Sequence, residues 1–322
     1  MTRVSPYALG ATLYMPATRA DLADVICHCK VPELRSLVIC LEDAVADSDV
    51  DIALRNLEQL LLQLHQQKQP FYPPGQPSRQ PLLFVRPRNA EMAARLSEWP
   101  LISEIDGFVI PKLTLDNLPV WEQALAHPDL LLMPTLETPE TFNPAAMVEL
   151  GEALKVRLGE RIVVLRIGGN DLMGCLGLRR NSTTTLYSTP MSYLIPMVSG
   201  VMGSLGFSLS APVFEQLASP QLLQQELDLD IAHGMVGKTA IHPCQITLIH
   251  DRFRVNLEDL NAARMIVQDQ APAVFRHNDA MCEPATHQKW ARGILERAKW
   301  YGVKPQETIS QDGPLGLTES RC

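Results

Sequence analysis

Residues 36–45 read SLVICLEDAV, an apolar run that ends in the acidic pair Glu42 and Asp43. Further apolar runs carry a charged residue at or just beyond their ends: LLFVRPR (82–88, with Arg86), DGFVIPK (106–112, with Lys112), LLLMPTLET (130–138, with Glu137) and IVVLRIGGNDL (162–172, with Asp171). A charge at the end of a buried strand is costly unless it is paired or has a chemical role. The pattern therefore predicts parallel strands that gather charged side chains on one face, as in the active site of a (β/α)8 barrel.

Strand-like runs alternate with helix-like stretches along most of the chain. The runs lie near residues 11–16, 36–42, 82–86, 105–110, 131–136, 162–167, 206–210 and 236–241. This alternation implies right-handed crossovers and a parallel sheet, and eight such units predict an α/β fold, a (β/α)8 TIM barrel, over residues 1–255. Residues 256–303 are predicted to form a C-terminal helical extension, and residues 304–322 a flexible tail. We interpret the Pro- and Gln-rich segment 67–81 as an inserted surface loop.

Composition and charge argue against several classes of protein. Of the 322 residues, 46% are hydrophobic and 20% are charged, and the formal net charge of −8 argues against a broad basic surface for nucleic acid. No apolar stretch approaches the roughly 20 residues of a membrane span, and the first residues lack the apolar block of a secretion signal. No G-x-G-x-x-G motif follows the first strand, which argues against a dinucleotide site. We therefore expect a cytoplasmic enzyme without membrane or nucleic-acid partners.

The seven cysteines do not have the spacing of a zinc site. Cys27 and Cys29 flank His28, and Cys40 follows, but the paired C-x-x-C spacing typical of structural zinc is absent. We interpret these residues as thiols of a reducing compartment.

Glu137 and Asp171 are the candidate metal ligands. Each follows a predicted buried strand, and strands five and six are neighbours in a closed barrel. Two carboxylates with open positions for water and substrate oxygens suit Mg²⁺. The alternative is that each carboxylate caps the helix that follows it, and spacing alone favours neither interpretation.

The remaining charged positions have two interpretations each. Arg86 clamps a substrate carboxylate and stabilises a developing oxyanion, or it forms a structural salt bridge to Glu42 or Asp43. Lys112 is a Schiff-base nucleophile or, as we favour, an electrostatic spacer between carboxylates. Of the pair Glu42–Asp43, one is expected to hold a metal-bound water and the other to cap the next helix. His242, at the end of strand eight, is interpreted as structural rather than as a base.

These segments, in this order, resemble the citrate lyase beta-subunit-like family of the 2-keto-acid aldolase and citryl-CoA and malyl-CoA lyase superfamily. The resemblance is carried by LYMPATRADL, VICLEDAV, FVRPR, DGFVIPKL, PTLETPE, RIGGNDLMGCLG and GMVGKTAIHPCQI. The matches run from about Leu13 to Ile246 and so cover most of the chain. LEDAV and GKTAIHPCQI, in register with each other, are the specific ones.

The resemblance implies a (β/α)8 barrel, Mg²⁺, cleavage or formation of a carbon–carbon bond, and a homo-oligomer, trimeric or hexameric. By position, Glu137 and Asp171 match the metal ligands, Arg86 and Arg19 match substrate-binding arginines, and Glu42 matches an active-site glutamate. The candidate set is thus Arg86, Glu42 and Asp43 for catalysis, Arg19, Arg86 and Lys112 for substrate binding, and Glu137 and Asp171 for Mg²⁺.

The chain departs from the family pattern at two acidic positions, which makes it a divergent member. Cys40 replaces the aspartate of D-L-E-D, and Ser210 stands in for an acid in the region that serves the CoA end of the substrate in CoA-dependent members. We therefore expect a lyase acting on a small oxo- or hydroxy-acid, with a CoA thioester the less favoured substrate. The alternatives are an acyl-CoA thioester hydrolase in the same site, or a catalytically silent barrel subunit of a larger complex.

Overall fold

A computed structural model describes residues 4–27, 30–66 and 80–305 of the chain. Most of the predicted surface loop 67–81, most of the predicted tail 304–322, and the residues His28 and Cys29 lie outside the described residues. The chain divides into two compact units, and the division falls between Phe253 and Arg254.

The first unit is a closed barrel of parallel strands in sequential order. The strands are β1 (Ala11–Pro16), β2 (Ser36–Cys40), β3 (Leu82–Arg86), β4 (Gly107–Ile110), β5 (Leu131–Leu136), β6 (Leu165–Ile167), β7 (Leu209–Ala211) and β8 (Gly237–Ala240). The ring closes where Thr239 of β8 lies opposite Thr12 of β1. The predicted (β/α)8 TIM barrel is confirmed.

Helices connect the strands and cover the barrel. They are α1 (Leu22–Cys27), α2 (Val50–Gln66), α3 (Ala90–Ser97), α4 (Leu118–Ala124), α5 (Pro144–Arg157), α6 (Gly169–Cys175), α7 (Met191–Ser204), α8 (Pro220–Ala232) and α9 (Cys244–Phe253). In α2 the buried leucines Leu57, Leu60, Leu61 and Leu64 recur at helical spacing on one face. Burying each one stabilises the fold by about 1.5–3 kcal/mol relative to exposure. Within the described ranges, no helix has both the length and the apolar character needed to cross a membrane.

Apolar side chains from around the ring pack together. The group consists of Leu9, Val38, Phe84, Val109, Met133, Val163, Val164 and Val236. In β2 all five residues are buried, because a parallel strand is covered by helices on one side and by the barrel filling on the other. Apolar side chains fill the barrel interior, and the charged candidate residues lie at the carboxyl ends of the strands.

The largest differences from the predicted strand bounds are in β6 and β7, which each begin three residues later than the sequence predicts. β6 begins at Leu165 rather than near residue 162, and β7 covers Leu209–Ala211 rather than 206–210. Ile162 makes only an isolated bridge to Leu132, although residues 162–164 are buried. Apolar character predicts burial there but does not predict where ladder hydrogen bonds begin.

The second unit contains the predicted C-terminal helices, α10 (Leu257–Ile266) and α11 (Pro284–Tyr301). Between them, β9 (Phe275–His277) and β10 (Ala280–Cys282) form an antiparallel hairpin that was not predicted. Its two turn residues, Asn278 and Asp279, have φ values of 48° and 59°, the left-handed conformation that a two-residue type I′ turn requires.

Candidate active site

A cavity of about 930 Å³ opens at the carboxyl ends of the barrel strands. Its wall includes charged residues that the sequence singled out, namely Asp43, Arg86, Glu137 and Asp171. Glu42 and Lys112 contact members of this set directly. We call these six residues, Glu42, Asp43, Arg86, Lys112, Glu137 and Asp171, the mouth cluster. This is the face of a barrel on which active sites are built.

Glu137 is the most deeply buried acid of the mouth cluster. It directly follows β5, is only 3% exposed, and its Oε1 accepts a hydrogen bond of 2.9 Å from the backbone N–H of Lys112. Burial and the nearby charge of Asp171 raise the pKa of Glu137 to about 7, against the opposing charge of Arg86. This carboxyl therefore lacks a compensating cation of its own.

Gly168 brings the second carboxylate close to the first. A Cβ on Gly168 would lie 2.2 Å from Oε2 of Glu137, so the backbone can pack here only because the residue is glycine. Gly168 precedes α6, which carries Asp171 in its first turn. The 3-10 turn Pro139–Phe142 and helix α6 have no side-chain cap at their N-cap residues, and α5 is capped by Asn143, so the geometry does not support the capping alternative for Glu137 and Asp171.

Lys112 holds the cluster together through its backbone and its side chain. Its φ of 48° is left-handed, a conformation that costs a non-glycine residue about 1 kcal/mol. Its ammonium Nζ lies 2.6 Å from Glu42, 3.2 Å from Asp43 and 3.7 Å from Asp171. Burial lowers the pKa of Lys112, but the contacts with Glu42 and Asp43 outweigh it and raise that pKa overall. A protonated ammonium does not attack a carbonyl, so the geometry favours the spacer interpretation.

Arg86 pairs with the acidic doublet and also faces the cavity. Its Nη2 lies 2.5 Å from Oε2 of Glu42, although the alignment does not make a hydrogen bond, and 3.2 Å from Oδ2 of Asp43. The salt bridge considered from the sequence is thus present. The buried Nε of Arg86 has no hydrogen-bond partner among the described residues, which leaves a donor for a bound molecule.

No hydrogen bond or ion pair links Arg19 or His242 to the mouth cluster in the described part of the chain. Arg19 is 52% exposed and pairs with Asp21 at 2.8 Å. His242 is exposed, and its Nδ1 accepts from the backbone N–H of Cys244 at 3.2 Å. Neither Cys27 nor Cys40 forms a disulfide in the described part of the chain. In the described part of the chain, no group of three or more His, Cys, Asp or Glu side chains is arranged to hold a metal ion by itself.

Sequence reasoning missed Tyr14, Arg166 and Glu215, which also line the cavity. Arg166 lies inside the apolar run of β6 rather than at its end, so the rule that selected Arg86, a charge at the end of a run, does not select it. The ring of Tyr14 contacts both guanidinium groups, 5.6 Å from Arg86 and 5.2 Å from Arg166. Glu215 supplies an acid to the cavity five residues beyond Ser210, which is itself buried.

Known proteins share this fold and its motifs. A family model described as C-C bond lyase of the TIM-barrel fold matches residues 3–303. The citrate lyase subunit beta-like protein of Deinococcus radiodurans is 26% identical over 184 residues, 56% of this chain and 60% of that protein. The match therefore spans less than two thirds of that relative's length.

Two solved structures from Mycobacterium tuberculosis have the same architecture. The protein CitE in complex with magnesium, acetoacetate and coenzyme A has a TM-score of 0.64 and 19% identity, covering 91% of this chain and 99% of that one. The citrate lyase beta subunit complexed with oxaloacetate and magnesium has a TM-score of 0.56 and 17% identity, covering 78% and 100%. At these identities the similarity establishes the fold.

Proposed function

The chain belongs to the C-C bond lyase family of the TIM-barrel fold, as its motifs indicated, and we propose that it breaks or forms a carbon–carbon bond in a small oxo- or hydroxy-acid. The proposed cofactor is Mg²⁺, held by Glu137 and Asp171. Mg²⁺ is present in the two Mycobacterium tuberculosis structures, which supports the same choice of metal here.

The observation that carries the proposal is a charge imbalance in the mouth cluster. Four carboxylates face only two cations, Arg86 and Lys112, so two negative charges remain when all groups are ionised. The raised pKa of Glu137 has the same origin, because burial and Asp171 both disfavour its charge. Carboxylate oxygens beside an open cavity are the donors that Mg²⁺ prefers, since it keeps several water ligands. The residues therefore fit one divalent cation.

Arg86 is the proposed substrate clamp. Its guanidinium binds a carboxylate of the substrate and neutralises the negative charge that develops as the carbon–carbon bond breaks. Its unpartnered Nε supplies a further donor in the same plane. When bound, Mg²⁺ supplies Lewis-acid polarisation of the substrate carboxylate and the adjacent oxygen. We retain Arg19 and Lys112 as proposed substrate-binding residues.

Glu42 and Asp43 are the proposed proton store. Burial raises the pKa of Glu42, against the opposing charge of Arg86. Burial also acts on Asp43, but its hydrogen bond with Glu42 and the charge of Arg86 outweigh it and lower the pKa of Asp43. Of the two carboxyls, Glu42 therefore takes up a proton more readily. In the cleavage direction a hydroxyl proton leaves and the new carbanionic carbon takes one up, and Glu42 is the proposed group that accepts and returns it.

We propose a free acid rather than a CoA thioester as substrate. Ser210 stands where CoA-dependent members have an acid, and its buried Oγ has no hydrogen-bond partner among the described residues. Analysis of the products by mass spectrometry distinguishes a lyase, which yields two carbon fragments, from a thioester hydrolase, which releases CoA.

We also retain the proposal that the protein is a homo-oligomer, trimeric or hexameric. Sedimentation measures this oligomeric state directly.

The deciding experiment is isothermal titration of the metal-free protein with Mg²⁺ and then with pyruvate, beside Asp171→Ala. We expect pyruvate binding that requires Mg²⁺ in the wild type and is absent in Asp171→Ala, with unchanged circular dichroism. Asp228→Ala is the matched control, because Asp228 is an exposed acid paired with Arg252, and it should bind like the wild type. Unchanged binding by Asp171→Ala contradicts the proposal, and no binding by the wild type supports the silent-subunit alternative.

A further inference from the structure

Arg166 is a buried cation without an acidic partner among the described residues. It is 2% exposed, and its Nη1 and Nη2 donate to the neutral hydroxyls of Thr12 at 3.3 Å and Thr239 at 2.5 Å. Nη1 also lies 3.8 Å from Sδ of Met133. Removing an ionised guanidinium from water is costly unless a negative charge compensates it. The described side chains supply none.

Two equally buried cations of the same barrel show what is missing. The side chain of Arg180, 3% exposed, lies 2.5 Å from Glu226. Lys238, 0% exposed, lies 3.0 Å from Glu226 and 2.8 Å from Asp230. Arg166 differs from both in a second respect, because it lines the cavity of the mouth cluster. An anion can therefore reach Arg166 from the cavity.

Two threonine hydroxyls beside Arg166, those of Thr135 and Thr239, have a proton left to donate. Thr135 of β5 lies opposite Arg166 in the strand register and two residues before Glu137. Its Oγ1 is buried and has no hydrogen-bond partner among the described residues, and the residue lines the cavity. Thr239 lines the cavity too, and its hydroxyl proton is free to donate because its oxygen accepts from Arg166. A guanidinium and two hydroxyl donors from neighbouring parts of the ring therefore line the same cavity.

We propose that Arg166, Thr135 and Thr239 form a second carboxylate-binding subsite, so that the substrate is a dicarboxylic oxo- or hydroxy-acid. A guanidinium matches the planar geometry of a carboxylate. One carboxylate balances the single charge of Arg166, whereas a phosphate group brings between one and two negative charges. This inference rests on the proposed function, in which the first carboxylate binds Arg86 and the metal ligands.

The test is a comparison of binding by acids that differ in their second carboxylate. Calorimetry with Mg²⁺ compares the dicarboxylic 2-oxo acids oxaloacetate and 2-oxoglutarate with the monocarboxylic 2-oxobutyrate. We expect the better dicarboxylic acid to bind roughly 10- to 100-fold more tightly, the effect of one charge-assisted contact. Arg166→Met should abolish this preference without weakening 2-oxobutyrate, and Arg166→Lys should restore part of it.

Thr135→Val keeps the test decisive if Arg166→Met does not fold. This variant removes only a hydroxyl without a described partner, so its thermal stability should not fall while its preference for the dicarboxylic acid declines. A preference that survives in both Arg166→Met and Thr135→Val overturns the subsite. Tighter competition by inorganic phosphate than by either dicarboxylic acid overturns its assignment to a carboxylate.

A metal-free arm separates this inference from the proposed function. In the presence of a chelator, glutarate and succinate should still bind better than butyrate, and Arg166→Met should lose the difference. Retention of this preference without any effect of Mg²⁺ on the 2-oxo acids contradicts the proposed function and supports the subsite. A wild type that prefers no dicarboxylic acid in either arm overturns the subsite.

Discussion

Two groups of charged side chains in the barrel unit use the same residue types to different ends. In the sealed cluster, Arg180, Glu226, Asp230 and Lys238, two cations face two acids, and every one of these side chains is at most 3% exposed. Arg180 also lies 3.8 Å from Glu215, a half-buried acid of the cavity wall. Tyr187 adds a hydroxyl donor to Asp230 at 2.9 Å. The mouth cluster has four acids for two cations and opens onto a cavity.

A structural ion network and a binding site can contain the same residue types. They differ in whether every charge has a partner of opposite sign within the chain. In the sealed cluster each charge is compensated within the chain, so the network ties α8 to β8 and to the backbone N–H of Leu186. In the mouth cluster the missing charge has to come from outside. Perturbed groups in a cavity indicate function only when their partners do not account for them.

The largest effect is expected from Lys238→Met in the sealed cluster. The change leaves Asp230 buried without a cation and Glu226 with Arg180 alone, which should destabilise the fold by about 3–5 kcal/mol. Urea unfolding monitored by circular dichroism measures the loss. A loss below about 1 kcal/mol, the range of exposed ion pairs, would show that the sealed cluster is not a structural network.

Glu137→Gln should stabilise the fold of the metal-free protein, whereas Lys238→Met should destabilise it. The pKa of Glu137 is about 7 in the folded state against about 4.3 in an unfolded chain. A raised carboxyl pKa contributes stability that is present at low pH and lost as the pH rises through 7. Glutamine does not titrate, so at pH 8 the variant should be more stable than the wild type by about 1–3 kcal/mol.

Unfolding in urea with a chelator, at pH 8 and at pH 5, tests this difference. The advantage of the glutamine variant should fall to about a third at pH 5, where the wild-type carboxyl is protonated in the folded state but mostly ionised in the unfolded chain, and it should vanish only below about pH 4. If the free energies of unfolding of the two proteins change with pH in the same way, the folded state does not raise the pKa of Glu137.

Gly168→Ala is expected to weaken the metal site by displacing Glu137. The added Cβ would meet Oε2, Cβ and Cδ of that side chain at 2.2–3.0 Å, and overpacking of this kind costs about 1–3 kcal/mol. We expect roughly a tenfold loss of Mg²⁺ affinity, which corresponds to about 1.4 kcal/mol.

Gly174→Ala is the matched control, since it adds the same methyl group in α6, the helix that Gly168 precedes, with nothing within 4 Å. It should leave Mg²⁺ affinity unchanged in calorimetry. Equal losses in the two variants would mean that helix α6 as a whole, rather than the position of Glu137, determines the affinity.

The smallest effect on folding is expected from Lys112→Met, the counterpart of Lys238→Met. The side chain of Lys112 is 45% exposed, and ion pairs of exposed groups contribute about 0–1 kcal/mol. Urea unfolding should therefore change by less than about 1 kcal/mol. A loss as large as that of Lys238→Met would remove the distinction between the two clusters.

The barrel and all six residues of the mouth cluster were predictable from the sequence because they depend on strand ends. A charge after an apolar run marks the carboxyl end of a strand, and a closed parallel barrel brings those ends together. Arg86, Lys112 and Asp171 were found in this way, and the structure places them in one cluster. Their chemical roles stay predictions.

Arg166 and the C-terminal hairpin escaped the same reasoning for different physical reasons. A charge inside a run can point toward the cavity or toward the helices, and the period alone does not tell which. The hairpin strands are three residues each, too short for an alternation to be recognised. Arg19, selected by its motif alone, lies among exposed groups because a motif gives no distance.

Lys112 joins two separable properties in one position, and this bears on how the site can change in evolution. Its N–H reaches Glu137 whatever side chain it carries, except proline, whereas only its ammonium reaches Glu42. Asparagine or glycine would tolerate the left-handed backbone and delete the charge while keeping that hydrogen bond. A single codon thus adjusts the charge of the pocket without moving its buried acid, which gives this barrel a short mutational path toward a different reaction.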